Sequence, residues 1–139
     1  KGYNDKYGHD FGDFVLKEFA AQIQKRIPSG SIFSRIGGEE FCVVDFEKTG
    51  INTRYYLEEA LSQVQELQLK TPMTELVNIS FSAGIAEYGV DGQTLDALLK
   101  NADRALYFAK ANGRSCVIPF SADLFEKRDA TLIAKVDSS

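Results

Sequence analysis

Three groups of residues in this 139-residue chain have types and spacing that could do chemistry. The first is Gly37-Gly38-Glu39-Glu40, with apolar Ile32, Phe33 and Ile36 before it and Phe41, Cys42, Val43 and Val44 after it. Glycine lacks a Cβ and adopts positive φ at little cost, so a ligand can approach such a main chain closely, which suits a phosphate. Two carboxylates beside a polyanion make sense only with a divalent cation between them, because such cations take oxygen ligands from acids and phosphates alike. By itself the tetrapeptide reads first as a plain hairpin turn with two solvated acids. The second group is Lys110 and Arg114, four residues apart, a point charge and a planar fork able to hold phosphate oxygens. On a helix standing alone, a solvated face would account for Lys110 together with Asp103, Arg104 and Tyr107. The third group is the polar cluster Asn4, Asp5, His9, Asp10 and Asp13, which contains the single histidine. An isolated histidine is more often structural than catalytic. Here, however, an Asn amide and an Asp carboxylate stand close enough in sequence to pair with guanine, the carboxylate accepting from N1–H and the exocyclic amine, a donor pair that adenine lacks. Together the three groups are the parts of a nucleoside triphosphate site.

These residues need elements to position them. Asn4 to Gly12 is polar and glycine-punctuated and predicts a short helical turn followed by a loop. From about Asp13, the spacing of Val15, Leu16, Phe19, Ala20, Ile23 and Ile27 predicts an amphipathic helix ending before Pro28. Strands are expected at about Ser31 to Ile36 and Phe41 to Phe46, joined by the Gly-Gly turn. Leu57, Ala60, Leu61, Val64 and Leu67 predict a second helix running up to Thr71-Pro72. Val77, Ile79, Phe81, Ala83 and Ile85 alternate with Asn78, Ser80, Ser82 and Gly84, the pattern of one strand whose small face leaves room for something. Thr94 is a candidate N-cap for a third helix with a stripe of Leu95, Leu98, Leu99, Ala102, Leu106 and Ala109, and Gly113 stands at its C′ position. Cys116 to Phe120 predicts a last short strand, and Ala122 to Val136 a weakly periodic helix or linker. The order of elements belongs to the α+β class, with helices packed on a mainly antiparallel sheet. Such a sheet normally starts with a central strand before the first helix, and no residue before Lys1 is at hand to build it.

Composition is that of a soluble globular domain, 44% hydrophobic and 26% charged, and no apolar run approaches membrane-span length. A net charge of -4 argues against a nucleic-acid groove as the main function, while leaving room for a small anionic ligand held by local cations and a metal. Cys42 and Cys116 lack metal-ligand spacing and read as buried free thiols, which points to the cytoplasm. The chain opens on Lys1-Gly2-Tyr3-Asn4-Asp5 without a Met or a signal-like segment, and we expect it to be a piece of a longer polypeptide.

The stretches Asn4-Asp5-Lys6-Tyr7-Gly8-His9-Asp10-Phe11-Gly12-Asp13, Arg35-Ile36-Gly37-Gly38-Glu39-Glu40-Phe41, Phe81-Ser82-Ala83-Gly84-Ile85-Ala86, and Ala102 to Lys110 with Gly113-Arg114 resemble, in order, the signatures of the GGDEF family of diguanylate cyclases. The likeness covers residues 1 to about 120, leaving 121–139 as a C-terminal extension. It implies a ferredoxin-like sandwich akin to the class III nucleotide cyclases and a reaction that joins two GTP into cyclic di-GMP and two pyrophosphates. A homodimer would supply one GTP per subunit, and an upstream sensor domain would control it, with no nucleic-acid or membrane partner for this domain. The resemblance gives Asn4 and Asp13 the guanine, with His9 nearby. Glu39 becomes a ligand of Mg²⁺ (or Mn²⁺) and the acceptor of the 3′-hydroxyl proton, and Glu40 a supporting acid. Lys110, Arg114, Gly37 and Gly38 would hold the phosphates. Glu in place of Asp at position 39 keeps the carboxylate. Two features depart from the family. Its Asp-x-Asp-x-Phe-Lys strand, whose first Asp binds metal, survives only as Lys1, and its Arg-x-x-Asp feedback motif is replaced by Pro28-Ser29-Gly30-Ser31, so feedback of that kind is not expected. A silent GTP- or cyclic di-GMP-binding module is the alternative, but such relatives usually spoil the glycine-glutamate turn, which is intact here.

Overall fold

Phe11, Val15, Leu16, Phe19 and Ile23 recur at helical spacing and are all buried, so the first helix, α1 (His9–Gln24), presents one continuous apolar stripe to the core. It begins earlier than the Asp13 predicted from the sequence. Phe11 stands one turn before Val15 and extends the stripe, so burial outweighs the helix-weakening Gly12. The computed structural model describes residues 7–46, 50–121 and 135–137, the last three through their backbone. After α1 come the hairpin strands β1 (Ile32–Gly37) and β2 (Glu40–Val44), then helix α2 (Gly50–Glu66). A small two-stranded ladder of β3 (Gln68–Lys70) and β4 (Leu76–Asn78) follows, then β5 (Ser82–Ile85), helix α3 (Leu95–Ala111), β6 (Val117–Pro119) and β7 (Lys135–Asp137).

The main sheet has five strands in the order β1-β2-β7-β5-β6, antiparallel throughout except for the β5–β6 pair. One face carries Phe41, Val43, Ala83 and Ile85 in a core shared with α1 and α2. At its centre Phe19, fully buried, meets Phe41 and Phe81 at ring-centroid distances of 5.2 Å each. Burying such a side chain contributes about 1.5–3 kcal/mol. The other face takes α3, whose Ala102, Ala105, Leu106 and Ala109 are buried. Its N-terminus is capped as predicted, the Thr94 hydroxyl accepting from the Ala97 N–H at 3.1 Å.

Three sequence expectations change. The single strand over Val77 to Ile85 is two strands, β4 and β5, in different sheets, because Leu76–Asn78 pairs with Gln68–Lys70 inside the stretch assigned to the second helix. The room beside the small face of that strand is filled by protein: a Cβ on Gly84 would lie 2.3 Å from the Ala102 carbonyl oxygen and 2.4 Å from the Leu106 nitrogen. The central place in the sheet, expected to lack its strand, holds β7, antiparallel to both β2 and β5. Within the C-terminal stretch expected to be helix or linker, Lys135–Asp137 is therefore a strand, since a sheet interior satisfies backbone N–H and C=O groups that an open slot would leave unpaired. Residues 122–134 of that stretch lie outside the described residues.

Candidate nucleotide site at one end of the sheet

The glycine turn is tight. Gly37 pairs with Glu40, leaving Gly38 and Glu39 as the two connecting residues, and the ladder shifts register between Arg35 and Gly37. Gly38, the first of the two, has φ 45, the left-handed conformation for which such turns select glycine. The Arg35 Nε–H donates to the Gly38 carbonyl oxygen at 2.7 Å and pins the loop from one side. A Cβ on Gly37 or Gly38 would meet nothing within 4 Å, so the turn faces open space, the room a phosphate needs. Glu39 and Glu40 are half-buried at its exit.

The cations stand where α3 ends. Gly113 has φ 102 and lets the chain leave the helix, and the Arg114 N–H returns to the Ala109 carbonyl at 2.9 Å. Arg114 and Ser115 then take φ values of 63 and 53, a conformation that costs a residue with a Cβ about 1–2 kcal/mol. A serine network holds it: the Ser115 N–H donates to Ser82 Oγ at 2.9 Å, and the Ser80 hydroxyl donates to Ser115 Oγ at 2.8 Å. Ser82 is fully buried. Sequence reasoning missed these three serines as the residues that position Arg114. Their one signal was two hydroxyls on the small face of a strand.

The sheet register brings the turn and the cations to the same end. Glu40 is level with position 137, and position 137 with Ser82, which bonds to Ser115 next to Arg114. With neighbouring strands about 4.8 Å apart, roughly 10 Å separates β2 from β5 and roughly 14 Å separates it from β6, a span that a triphosphate and long cationic side chains bridge. Tyr7, just before α1, reaches the β3–β4 connection. The Tyr7 hydroxyl donates to Glu75 Oε1 at 3.1 Å in that connection, the ladder is tied to the end of α2 by Asn78 Nδ2 donating to the Gln65 carbonyl at 3.1 Å, and Gln65 Nε2 on α2 donates to Ser80 Oγ at 3.2 Å. His9 and Asp13 form an exposed pair on successive turns of α1, Nε2 to Oδ2 3.7 Å. Asn4 lies outside the described residues. The structure thus pairs His9 with Asp13 on α1, holds Gly37 to Glu40 in one turn, and sets Lys110 in the last turn of α3 with Arg114 just past it, level along the sheet with that turn.

Among the described residues, no three His, Cys, Asp or Glu side chains form a metal cluster. The two turn carboxylates are nonetheless the hard oxygen donors that a divalent cation takes, and the open turn leaves it space. The cysteines are free thiols, Cys42 buried and Cys116 half-buried, and burial pushes the Cys116 thiol up.

The family model described as "Diguanylate cyclase, GGDEF domain" matches residues 1–116. The chain belongs to the GGDEF family. It is 35% identical over 126 residues to the response regulator PleD of Caulobacter vibrioides, covering 85% of this chain and 26% of that protein. It is 33% identical to the diguanylate cyclase VdcA of Vibrio cholerae, covering 86% of this chain and 35% of that protein. The chain therefore spans about a quarter to a third of these curated relatives. Among solved structures, the GGDEF domain of DgcB from Caulobacter crescentus in complex with c-di-GMP superposes with a TM-score of 0.79 at 32% identity, covering 85% of this chain and 70% of that one. The active GGEEF domain of a diguanylate cyclase from Vibrio cholerae gives 0.73 at 28% identity, covering 86% and 74%. These likenesses bear out the α+β cyclase-type fold and the family resemblance, and the family generally uses a divalent metal. No helix among the described residues is long and apolar enough to cross a membrane.

Proposed function

We propose that this chain is the cyclase domain of a cytoplasmic signalling protein and that two facing copies, each holding one GTP, produce cyclic di-GMP and two pyrophosphates. The observation that carries this reading is the intact, open Gly37-Gly38-Glu39-Glu40 turn at the same end of the sheet as Lys110 and Arg114. Asp13, with Asn4, reads the guanine edge, and His9 stands beside it. The Gly37 and Gly38 backbone cradles the phosphates, and Lys110 and Arg114 neutralise them, Arg114 from a position fixed by the serine network. Glu39 accepts the proton of one ribose 3′-hydroxyl as its oxygen attacks the α-phosphorus of the GTP on the facing copy, and pyrophosphate leaves with the electrons of the broken P–O bond. Glu40 supports Glu39. What Mg²⁺, or Mn²⁺ in its place, supplies when held by Glu39 is neutralisation of phosphate charge and easier ionisation of that hydroxyl. Because each nucleotide contributes one nucleophile and one leaving group, two copies are required. An upstream sensor would set how often they meet.

The parent protein, including the strand expected ahead of Lys1, is incubated with GTP and Mg²⁺ and its product separated by chromatography. Cyclic di-GMP is the expected product. Glu39→Gln is expected to lose at least about 100-fold of that rate with an unchanged melting temperature, the low end of what a general base contributes. GTP binding without product from the unsubstituted parent protein would refute the cyclase reading in favour of the silent binding module.

A further inference from the structure

Arg35 is the only cation between Ile32 and Val44, and it stands at the entrance to the turn that carries Glu39 and Glu40. We infer that its guanidinium binds a phosphate of the nucleotide held over the Gly37-Gly38 turn, as a further phosphate cation beside Lys110 and Arg114. This inference rests on reading the turn as the phosphate end of a GTP site.

The way Arg35 is anchored carries it. Its Nε–H donates to the Gly38 carbonyl oxygen at 2.7 Å, and the ladder shifts register between Arg35 and Gly37, the kind of irregularity that re-aims a neighbouring side chain. A guanidinium is planar and rigid, so both Nη atoms lie within roughly 5 Å of that same oxygen. Arg35 is exposed and makes no other hydrogen bond or ion pair among the described residues, which leaves the N–H groups of both Nη atoms for another acceptor. The main chain beside them is bare. A Cβ on Gly37 or Gly38 would meet nothing within 4 Å, so a phosphate can settle on this stretch, where the Nη edge reaches its oxygens at about 2.8 Å, the length of a charge-assisted bond.

Charge balance favours the same assignment. A triphosphate and the turn carboxylates together bring more negative charge than one divalent cation, Lys110 and Arg114 cancel, and opposite charge at contact distance is what offsets the remainder. Lysine would not serve in this place. Its ammonium is a point charge on a flexible stem, whereas arginine bonds the carbonyl through Nε and still presents a planar edge to the anion. The bond to Gly38 also fixes that edge before the nucleotide arrives, so less side-chain freedom is lost on binding.

The test measures binding to the parent protein, by calorimetry with Mg²⁺ present, of the α,β-methylene analogue of GTP, whose Pα–C bond does not break. Arg35→Gln and Arg35→Ala are each expected to bind the analogue at least about 10-fold more weakly than the unsubstituted protein, the loss of a hydrogen bond between ionised groups. The affinity of the unsubstituted protein is expected to fall more steeply with added salt than that of Arg35→Gln, because the missing contact is an ionic one that salt screens. Melting temperatures are recorded for both variants, and Arg35→Ala serves where Arg35→Gln disturbs the hairpin. A folded variant that binds the analogue as tightly as the unsubstituted protein would overturn the inference. Parallel salt dependences would overturn it too, since they would show that Arg35 only holds the turn. An unsubstituted protein that does not bind the analogue would overturn it together with the reading it rests on. Cyclic di-GMP production separates the two claims. Product with unchanged analogue affinity in Arg35→Gln refutes only the role of Arg35, and weakened analogue binding in a protein that makes no product refutes only the cyclase reading.

Discussion

Replacing Gly84 by alanine should do more damage than any other single methyl added to this protein. Gly84 is in β5, and its backbone is in a region open to ordinary residues, so the cost is purely steric. The added Cβ would lie 2.3 Å from the Ala102 carbonyl oxygen, 2.4 Å from the Leu106 nitrogen and 2.6 Å from the Ala105 Cβ. Each is about an ångström short of ordinary contact, and two of the three are helix backbone, which cannot rotate away. The whole of α3 must lift from the sheet, in an interior already packed at crystal-like density. Overpacking a core costs about 1–3 kcal/mol, and displacement of a helix backbone belongs at the top of that range. For a chain of this size, about 3 kcal/mol corresponds to a melting temperature lower by roughly 10 °C. The displaced helix also carries Lys110 and leads into Arg114, so the Michaelis constant for GTP should rise with the loss of stability. Urea denaturation followed by circular dichroism, with GTP turnover on the still-folded fraction, measures both. A Gly84→Ala variant within 1 kcal/mol of the parent would show that α3 does not lie on β5 as closely as described, and would undo the placement of the two cations.

Three further outcomes follow from other contacts. Asp45 accepts from the Ser31 hydroxyl at 2.6 Å, the Thr53 hydroxyl at 2.7 Å and the Tyr56 hydroxyl at 2.6 Å, tying the hairpin base to α2, so Asp45→Ala should cost about 2–4 kcal/mol in urea denaturation; a cost under 1 kcal/mol would show that water replaces the network freely. Burial, and then the Asp45 carboxylate, push the Tyr56 phenol well above its ordinary value of 10.0. The unfolded tyrosine ionises near that value while the folded one stays neutral, so this group's contribution is complete below pH 10 and is lost as the pH rises beyond it. Tyr56→Phe should therefore lose less stability than the parent between pH 9 and pH 11, and parallel curves would refute the assignment. Thr94→Ala removes the cap of α3 and should lower stability by about 1 kcal/mol, with Thr94→Ser restoring most of it.

The sequence by itself determined the elements whose periodicity or punctuation is local. Thr94 and Gly113 bracket α3 because a hydroxyl satisfies an orphan N–H and a glycine adopts left-handed φ wherever they occur. The β1–β2 hairpin follows from two apolar runs around Gly37-Gly38 for the same reason. The candidate site residues were nominated from the sequence by type, carboxylates, glycines and paired cations, and of these the open conformation of the Gly37-Gly38 turn is what the structure adds. What local signals could not decide were the pairings. Val77 to Ile85 alternates like one strand, yet hydrogen bonds to Gln68–Lys70 draw its first third into a separate ladder. Ser82 and Gly84 promised a vacancy that α3 fills, and Ser80, Ser82 and Ser115 meet only because β5 and β6 run side by side. The clearest case is β7. Three residues with no distinctive periodicity occupy the centre of the sheet, because β2 and β5 both present unpaired backbone there and any strand of the right direction can satisfy it. Which strand that is, and that it brings an aspartate level with Glu40, is a matter of long-range register, and only the assembled sheet decides it.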